Sequence, residues 1–194
     1  MREVVVQMHM TLDGFADSQD GFVPLGDRGY WRELNAALEG TGASRVDTLL
    51  LGKGTYRQFN AFWPKVYADP KSYPRDFHEG ARYLTETRKV VFSKSLPKAD
   101  WLNSRIVRGD PGAEIARLKR RPGKNLLVPG GVAFPRALIE RNLVDEYLLS
   151  VVPILVGRGR DRLFGTFPRP RRLKLISTRA FRNGIVLHRY RRSE

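Results

Sequence analysis

The sequence predicts an α/β fold: a mixed, mostly parallel sheet flanked by helices, with an antiparallel hairpin at its C-terminal end. Three observations predict it. Short apolar runs that stop at glycine or proline alternate with amphipathic stretches along the chain, which is the pattern of strand–helix units whose strands are buried on both faces. The last two apolar runs are separated by little more than Arg182, Asn183 and Gly184, too short for a helix and right for a hairpin turn. A length of 194 residues with 41% hydrophobic content suits one compact domain, residues 1–194, and would be cramped for two.

The elements follow in order. EVVVQMHMTL (3–12) is a first strand, left through the Asp- and Gly-rich turn DGFADSQDGF. YWRELNAALEG (30–40) places Trp31, Leu34, Ala37 and Leu38 at helical spacing before Gly40 stops it. VDTLLLG (46–52) is a second strand, and TYRQFNAFW (55–63) a helix halted by Pro64, with 64–76 as loop. FHEGARYLTETR (77–88) reads as a further helix, KVVFS (89–93) and SRIVRG (104–109) as strands, and AEIARLKRR (113–121) as a helix with Ile115 and Leu118 inward. NLLVPGG (125–131) is an apolar strand closed by glycines, and FPRALIERN (134–142) a helix with Phe134, Leu138 and Ile139 on one face. DEYLLSVVPILVG (145–157) is apolar enough for a central strand, and RLKLISTRAF and GIVLHRYRR form the closing hairpin.

Composition narrows the classes of function. No apolar run approaches the roughly 20 residues of a membrane span, and the first ten residues lack the apolar centre and cleavage site of a signal peptide, so a cytoplasmic protein is expected. With no cysteine there are no disulfides or thiolate metal sites, and His9, His78 and His188 stand too far apart for a local metal motif. The net charge of +15 favours anionic ligands. Its groups RLKRR (117–121), RGRDR (158–162) and RPRR (169–172) come without any nucleic-acid-binding motif, so nucleic acid is a less favoured partner than a small anionic ligand.

Ligands of such sheets gather at the carboxyl ends of the strands, and three of those ends carry phosphate-holding groups. These are Gly52-Lys53-Gly54-Thr55, Ser93-Lys94 and Gly130-Gly131. The first is not a P-loop: no early glycine precedes it, and Gly54 separates Lys53 from Thr55. The third lacks the Rossmann pattern G-x-G-x-x-G. ATP hydrolysis and a standard Rossmann domain are both disfavoured.

Taken in order, MTLDGFAD (10–17), VDTLLLGKGTYRQFNAFWP (46–64), RKVVFSKSL (88–96), LLVPGGVAFPRALIERNLVDEYLLSVVPILVGRGRDRLF (126–164) and the closing hairpin resemble the dihydrofolate reductase-like fold. The resemblance is to the reductase domain of riboflavin biosynthesis in particular and to its stand-alone bacterial relatives, and it spans nearly the whole chain. It implies NADPH as cofactor. Gly52, Lys53, Gly54 and Thr55 would then meet the adenosine-side phosphates and pyrophosphate, and Ser93 and Lys94 the ribose 2′-phosphate. Gly130, Gly131 and Val132 would set a helix N-terminus under the pyrophosphate. Asp13 and Gly14 would lie beside nicotinamide and substrate, with Asp13 and Glu33 as catalytic candidates and Trp31 and Phe59 lining the substrate. The segment YRQFNAFWP stands where riboflavin reductases carry an acidic Asp-Asp-Pro stretch and an Arg, so a phosphoribosyl substrate is not implied.

The resemblance therefore implies hydride transfer from NADPH to a C=N or C=O bond of a small, pterin- or pyrimidine-like substrate by a homodimer. The rival is a non-catalytic nucleotide- or nucleic-acid-binding module on the same fold. A further expectation is that Gly131→Val abolishes cofactor binding and leaves the fold intact.

Overall fold

The computed structural model describes residues 1–16, 46–157, 162–165, 167 and 169–193. The predicted helix at 30–40 lies outside the described residues. The described elements run β1 (Val4–Thr11), β2 (Val46–Gly52), α1 (Lys53–Ala68), α2 (His78–Glu86), β3 (Arg88–Phe92), β4 (Ser104–Val107) and α3 (Pro111–Lys119). They continue with β5 (Asn125–Pro129), α4 (Ala133–Glu140), β6 (Glu146–Val152), β7 (Leu173–Ala180) and β8 (Val186–Arg192). The strands form one sheet in the order β4-β3-β2-β5-β1-β6-β8-β7. Neighbouring strands from β4 to β6 pair in parallel, while β8 joins β6 and β7 antiparallel, so the predicted mixed sheet with its C-terminal hairpin is observed.

Successive strand residues point to opposite faces, and here both faces are apolar. Leu49, Leu51, Val91, Leu127 and Leu148 pack on one side with Tyr56 of α1 and Leu84 of α2. Leu50, Val90, Leu126 and Val128 pack on the other with Ile115 and Leu118 of α3 and Leu138 and Ile139 of α4. Each such leucine, removed from water, contributes about 1.5–3 kcal/mol.

Three of the boundaries that differ from the sequence expectation have a visible cause. Pro64 does not halt α1, which continues through it to Ala68. The proline removes only the bond its N–H would make to the Asn60 carbonyl, while the buried Val66 and the edge-on rings of Phe62, Trp63 and Phe77 hold the last turn in place. The helix expected at 77–88 stops at Glu86, where the buried Lys89 meets its end: the ammonium donates to the carbonyls of Leu84, Thr85 and Thr87 at 2.7, 2.8 and 2.7 Å. The strand expected to reach Gly157 ends at Val152, because Pro153 has no N–H to continue the ladder.

Candidate active site

The parallel registers bring the ends of β2, β3 and β5 to one edge of the sheet. Leu49 of β2 is level with Leu127 of β5, and Gly52 with Phe92 of β3, so Gly52, Ser93 and Gly130 follow strands that finish side by side. Gly52 is glycine for a packing reason: a Cβ there would stand 2.7 Å from Cβ of Phe134 in α4. Phe134 itself stacks on Phe92 with ring centroids 5.0 Å apart. Gly130 and Gly131 hold φ of +64° and +71°, a consecutive left-handed pair that side chains disfavour. At Gly131 an added Cβ would lie 2.2 Å from Oγ1 of Thr55, and at Gly130 it would reach Cζ of Phe59 at 4.0 Å. The glycine turn after β5 therefore lies against the first two turns of α1.

Two helix N-termini face this edge, and neither has a side chain capping it. α1 starts after Gly52 and α4 after Val132, with no side-chain cap bond and no acidic residue in either first turn. By contrast α3 is capped by the Asp110 carboxylate, which accepts from Ala113 N–H at 2.9 Å, and carries Glu114 in its first turn. Among the described α-helices α1 and α4 alone lack both a side-chain cap and a first-turn acid, since α2, also without a side-chain cap, carries Glu79, so their partial positive ends suit an external anion.

The turn after β3 is braced from both neighbouring strands. The Ser93 hydroxyl accepts from the N–H groups of Ser95 and Leu96 at 3.3 and 2.9 Å. Lys53 Nζ donates to Ser95 Oγ at 2.8 Å. Arg108, just past β4, donates through both terminal nitrogens to the carbonyls of Lys94 (2.8 Å) and Leu96 (2.9 Å). Sequence reasoning missed Arg108, although a cation directly after a predicted strand was a signal of the same kind as Lys53 and Lys94. Lys94 is exposed at this turn.

Asp13 follows β1 in a turn with Gly14 at φ +85°. Its carboxylate accepts from the Thr11 hydroxyl at 2.5 Å and from the N–H groups of Val156 and Gly157 at 3.1 and 2.8 Å. The Thr11 bond first, and the Gly157 and Val156 N–H groups after it, hold the carboxyl below the usual carboxylate range. Asp13 thus stays ionised and ties the end of β1 to the loop after β6. Phe59 is half-buried, edge-on to Trp63 at 6.4 Å. Trp31 and Glu33 lie outside the described residues.

A separate cavity of about 400 Å³ lies between α1, Thr85 and the 100–102 loop, lined by Asn60, Pro64, Tyr67, Asp100, Trp101 and Leu102, and none of the strand-end groups contributes to it. Among the described residues no helix is long and apolar enough to cross a membrane.

The geometry can be set beside known proteins. The uncharacterized protein YyaP of Bacillus subtilis is 28% identical over 193 residues, covering 95% of this chain and 92% of that protein. A putative riboflavin biosynthesis protein from Shewanella sp. PV-4 superposes with a TM-score of 0.71 at 20% identity, covering 99% of both chains. Dihydrofolate reductase from Enterococcus faecalis, in a complex with NADP(H), gives 0.62 at 13% identity, covering 99% of this chain and 97% of that one. The fold is thus dihydrofolate reductase-like. The sequence model of the RibD C-terminal domain matches residues 2–187, and the chain belongs to that family.

Proposed function

We propose that the protein is an NADPH-dependent reductase that delivers hydride to a C=N or C=O bond of a small, flat, pterin- or pyrimidine-like substrate. A reductase-type role follows from family and fold together. The observation that carries the cofactor is the convergence of two uncapped helix N-termini on the Gly130–Gly131 turn, where the space a Cβ would fill is closed by Thr55. Only a bare backbone fits such a cradle, and an anion such as a pyrophosphate complements it.

When bound, the nicotinamide supplies the hydride. This chain's residues bind and orient. Backbone amides of Gly52, Gly54, Gly130, Gly131 and Val132, with the Thr55 hydroxyl, are assigned to the pyrophosphate, and Lys53, which donates to Ser95, to the 2′-phosphate. The Ser93–Leu96 turn, presenting Ser93 and Lys94 and held by Arg108, is assigned to the 2′-phosphate. Asp13 is ionised and so positions the 154–157 loop and Gly14 beside the reacting ring; it does not supply the proton. Glu33 is assigned as the proton source, with Trp31 and Phe59 stacking on the substrate. In this proposal the protein works as a homodimer in the cytoplasm.

Fluorescence titration of NADPH and NADH at about 0.15 M ionic strength, near physiological screening, tests the cofactor assignment. Wild type should prefer NADPH. A charge-assisted contact is worth about 1.5–3 kcal/mol, so Lys94→Ala or Lys53→Ala should weaken NADPH about tenfold or more and NADH by about twofold at most. Equal wild-type affinities, or parallel losses for both cofactors, would remove the 2′-phosphate assignment.

A further inference from the structure

Three polar residues interrupt an otherwise apolar stretch of the sheet. Gln7 and His9 alternate with Met8 on β1, and His9 is the register partner of Ser150 on β6. Alternation puts Gln7, His9 and Ser150 on the same face as Val5, Leu148, Val152 and Leu187, with side chains of adjacent strands about 5 Å apart. Ser150 is 1% exposed, and its hydroxyl meets no hydrogen-bond partner among the described residues. Leaving a buried hydroxyl unpaired forfeits its hydration with nothing in return, which marks the group as held for something the described residues do not provide.

The side chains of this patch, Gln7, His9 and Ser150, are uncharged at pH 7. Burial pushes the His9 imidazole down to about 4, so it is neutral at pH 7. Further along the same face Glu146 and Arg189 are bonded to each other at 2.7 and 2.9 Å. The patch also lies beside the cradle described above. Gly130 N–H donates to the Gln7 carbonyl at 3.0 Å, and β6 is the next strand beyond β1, so Ser150 is only about 10 Å across the sheet from the glycine turn. A ligand anchored by its phosphates at Gly130–Gly131 needs no longer reach to bring a ring over His9 and Ser150.

We propose that His9 and Ser150 are substrate-binding residues that hydrogen-bond the uncharged edge of a planar heterocycle, a lactam carbonyl and its neighbouring ring N–H. The Ser150 hydroxyl donates to the ring oxygen, and the neutral imidazole of His9 pairs with the ring nitrogen. A substrate bearing a carboxylate or phosphate at that edge is disfavoured, since burial beside Ser150 would strip the charge of water while the described residues that adjoin Ser150 and His9 in the sheet supply no cation. The inference rests on the reductase reading for the position of the cofactor.

The test uses pterin and uracil as neutral rings and orotate as the carboxylated counterpart, titrated into the full-length protein with and without saturating NADPH. Pterin or uracil should bind, and orotate at least tenfold more weakly. Ser150→Ala and His9→Leu should each weaken the neutral ring about tenfold while moving NADPH affinity by about twofold at most. A second readout needs no ligand: removing an orphaned hydroxyl should raise the melting temperature of ligand-free Ser150→Ala by about 1–4 °C. A lower melting temperature, an unchanged ring affinity in Ser150→Ala, or binding of neither ring by a protein that binds NADPH would overturn the inference. Ring binding that depends on Ser150 in a protein that binds no NADPH would uphold it and overturn the cofactor reading instead.

Discussion

Gly131 is held to glycine twice over, by a φ of +71° and by Thr55 Oγ1, which an added Cβ would approach to 2.2 Å. The expectation that Gly131→Val leaves the fold intact therefore needs correction: the backbone conformation alone disfavours a side chain there, and the Thr55 contact adds a collision with a buried group. Gly131→Ala should lose about 1–3 kcal/mol in urea denaturation, and more than Gly130→Ala, whose Cβ meets nothing closer than 4.0 Å. Equal losses in the two variants would show that Thr55 does not close the cradle. His9 makes a second prediction at this scale. Its folded-state value of about 4 lies below the ordinary 6.5, so the fold binds the proton less readily than the unfolded chain. Stability from this group is fully present above about pH 6.5 and is lost as pH falls toward 4, by at most about 3 kcal/mol. Denaturation midpoints at pH 7 and pH 4.5 should differ less in His9→Gln than in wild type; an unchanged difference would refute the burial of a neutral imidazole.

Among the elements, α1 and α2 show how tertiary contacts move boundaries. In α1 a proline in the twelfth position costs one hydrogen bond, and the buried Val66 and the aromatic cluster of Phe62, Trp63 and Phe77 outweigh that loss. Such a cluster joins residues from α1 and from the turn before α2, so a reading confined to local signals ends the helix at Pro64. In α2 the terminus is closed by a side chain from the next strand. Lys89 satisfies three carbonyls at once, its Nζ lies 4.3 Å from the centre of the Trp101 ring, and burial holds it down to about 8, still largely charged at pH 7. Lys89→Met keeps the length of the side chain but strips three buried acceptors of their donor. It should cost about 2–4 kcal/mol of stability by urea denaturation. A loss under about 0.5 kcal/mol would mean that those carbonyls find water instead.

At the scale of the whole molecule, the apolar strands of the C-terminal part, β6 and β7, have different fates. β6 lies inside the sheet between β1 and β8, where its side chains are consumed by the core, whereas β7 stands at the edge with Leu175 and Ile176 exposed at 51% and 40%. An edge strand with an apolar outer surface invites pairing. The proposed homodimer should give a light-scattering mass near twice the chain's 22.2 kDa, and Leu175→Lys with Ile176→Glu should shift it toward the monomer. A monomer mass for wild type at micromolar concentration would reject the dimer. The sequence by itself determined the alternation of strands and helices, the hairpin, the glycine turns that end β2 and β5, and the family, because these depend on side-chain periodicity, on turn residues and on motifs read along the chain. Only the tertiary structure decided that α1 runs through Pro64, that Arg108 braces the Ser93–Leu96 turn, that Thr55 meets Gly131, that Asp13 is held ionised by the loop after β6, and that His9 faces Ser150. Each of these is a contact between residues brought together by strand order and register, and packing between distant segments sets those, so no local pattern in the chain encodes them.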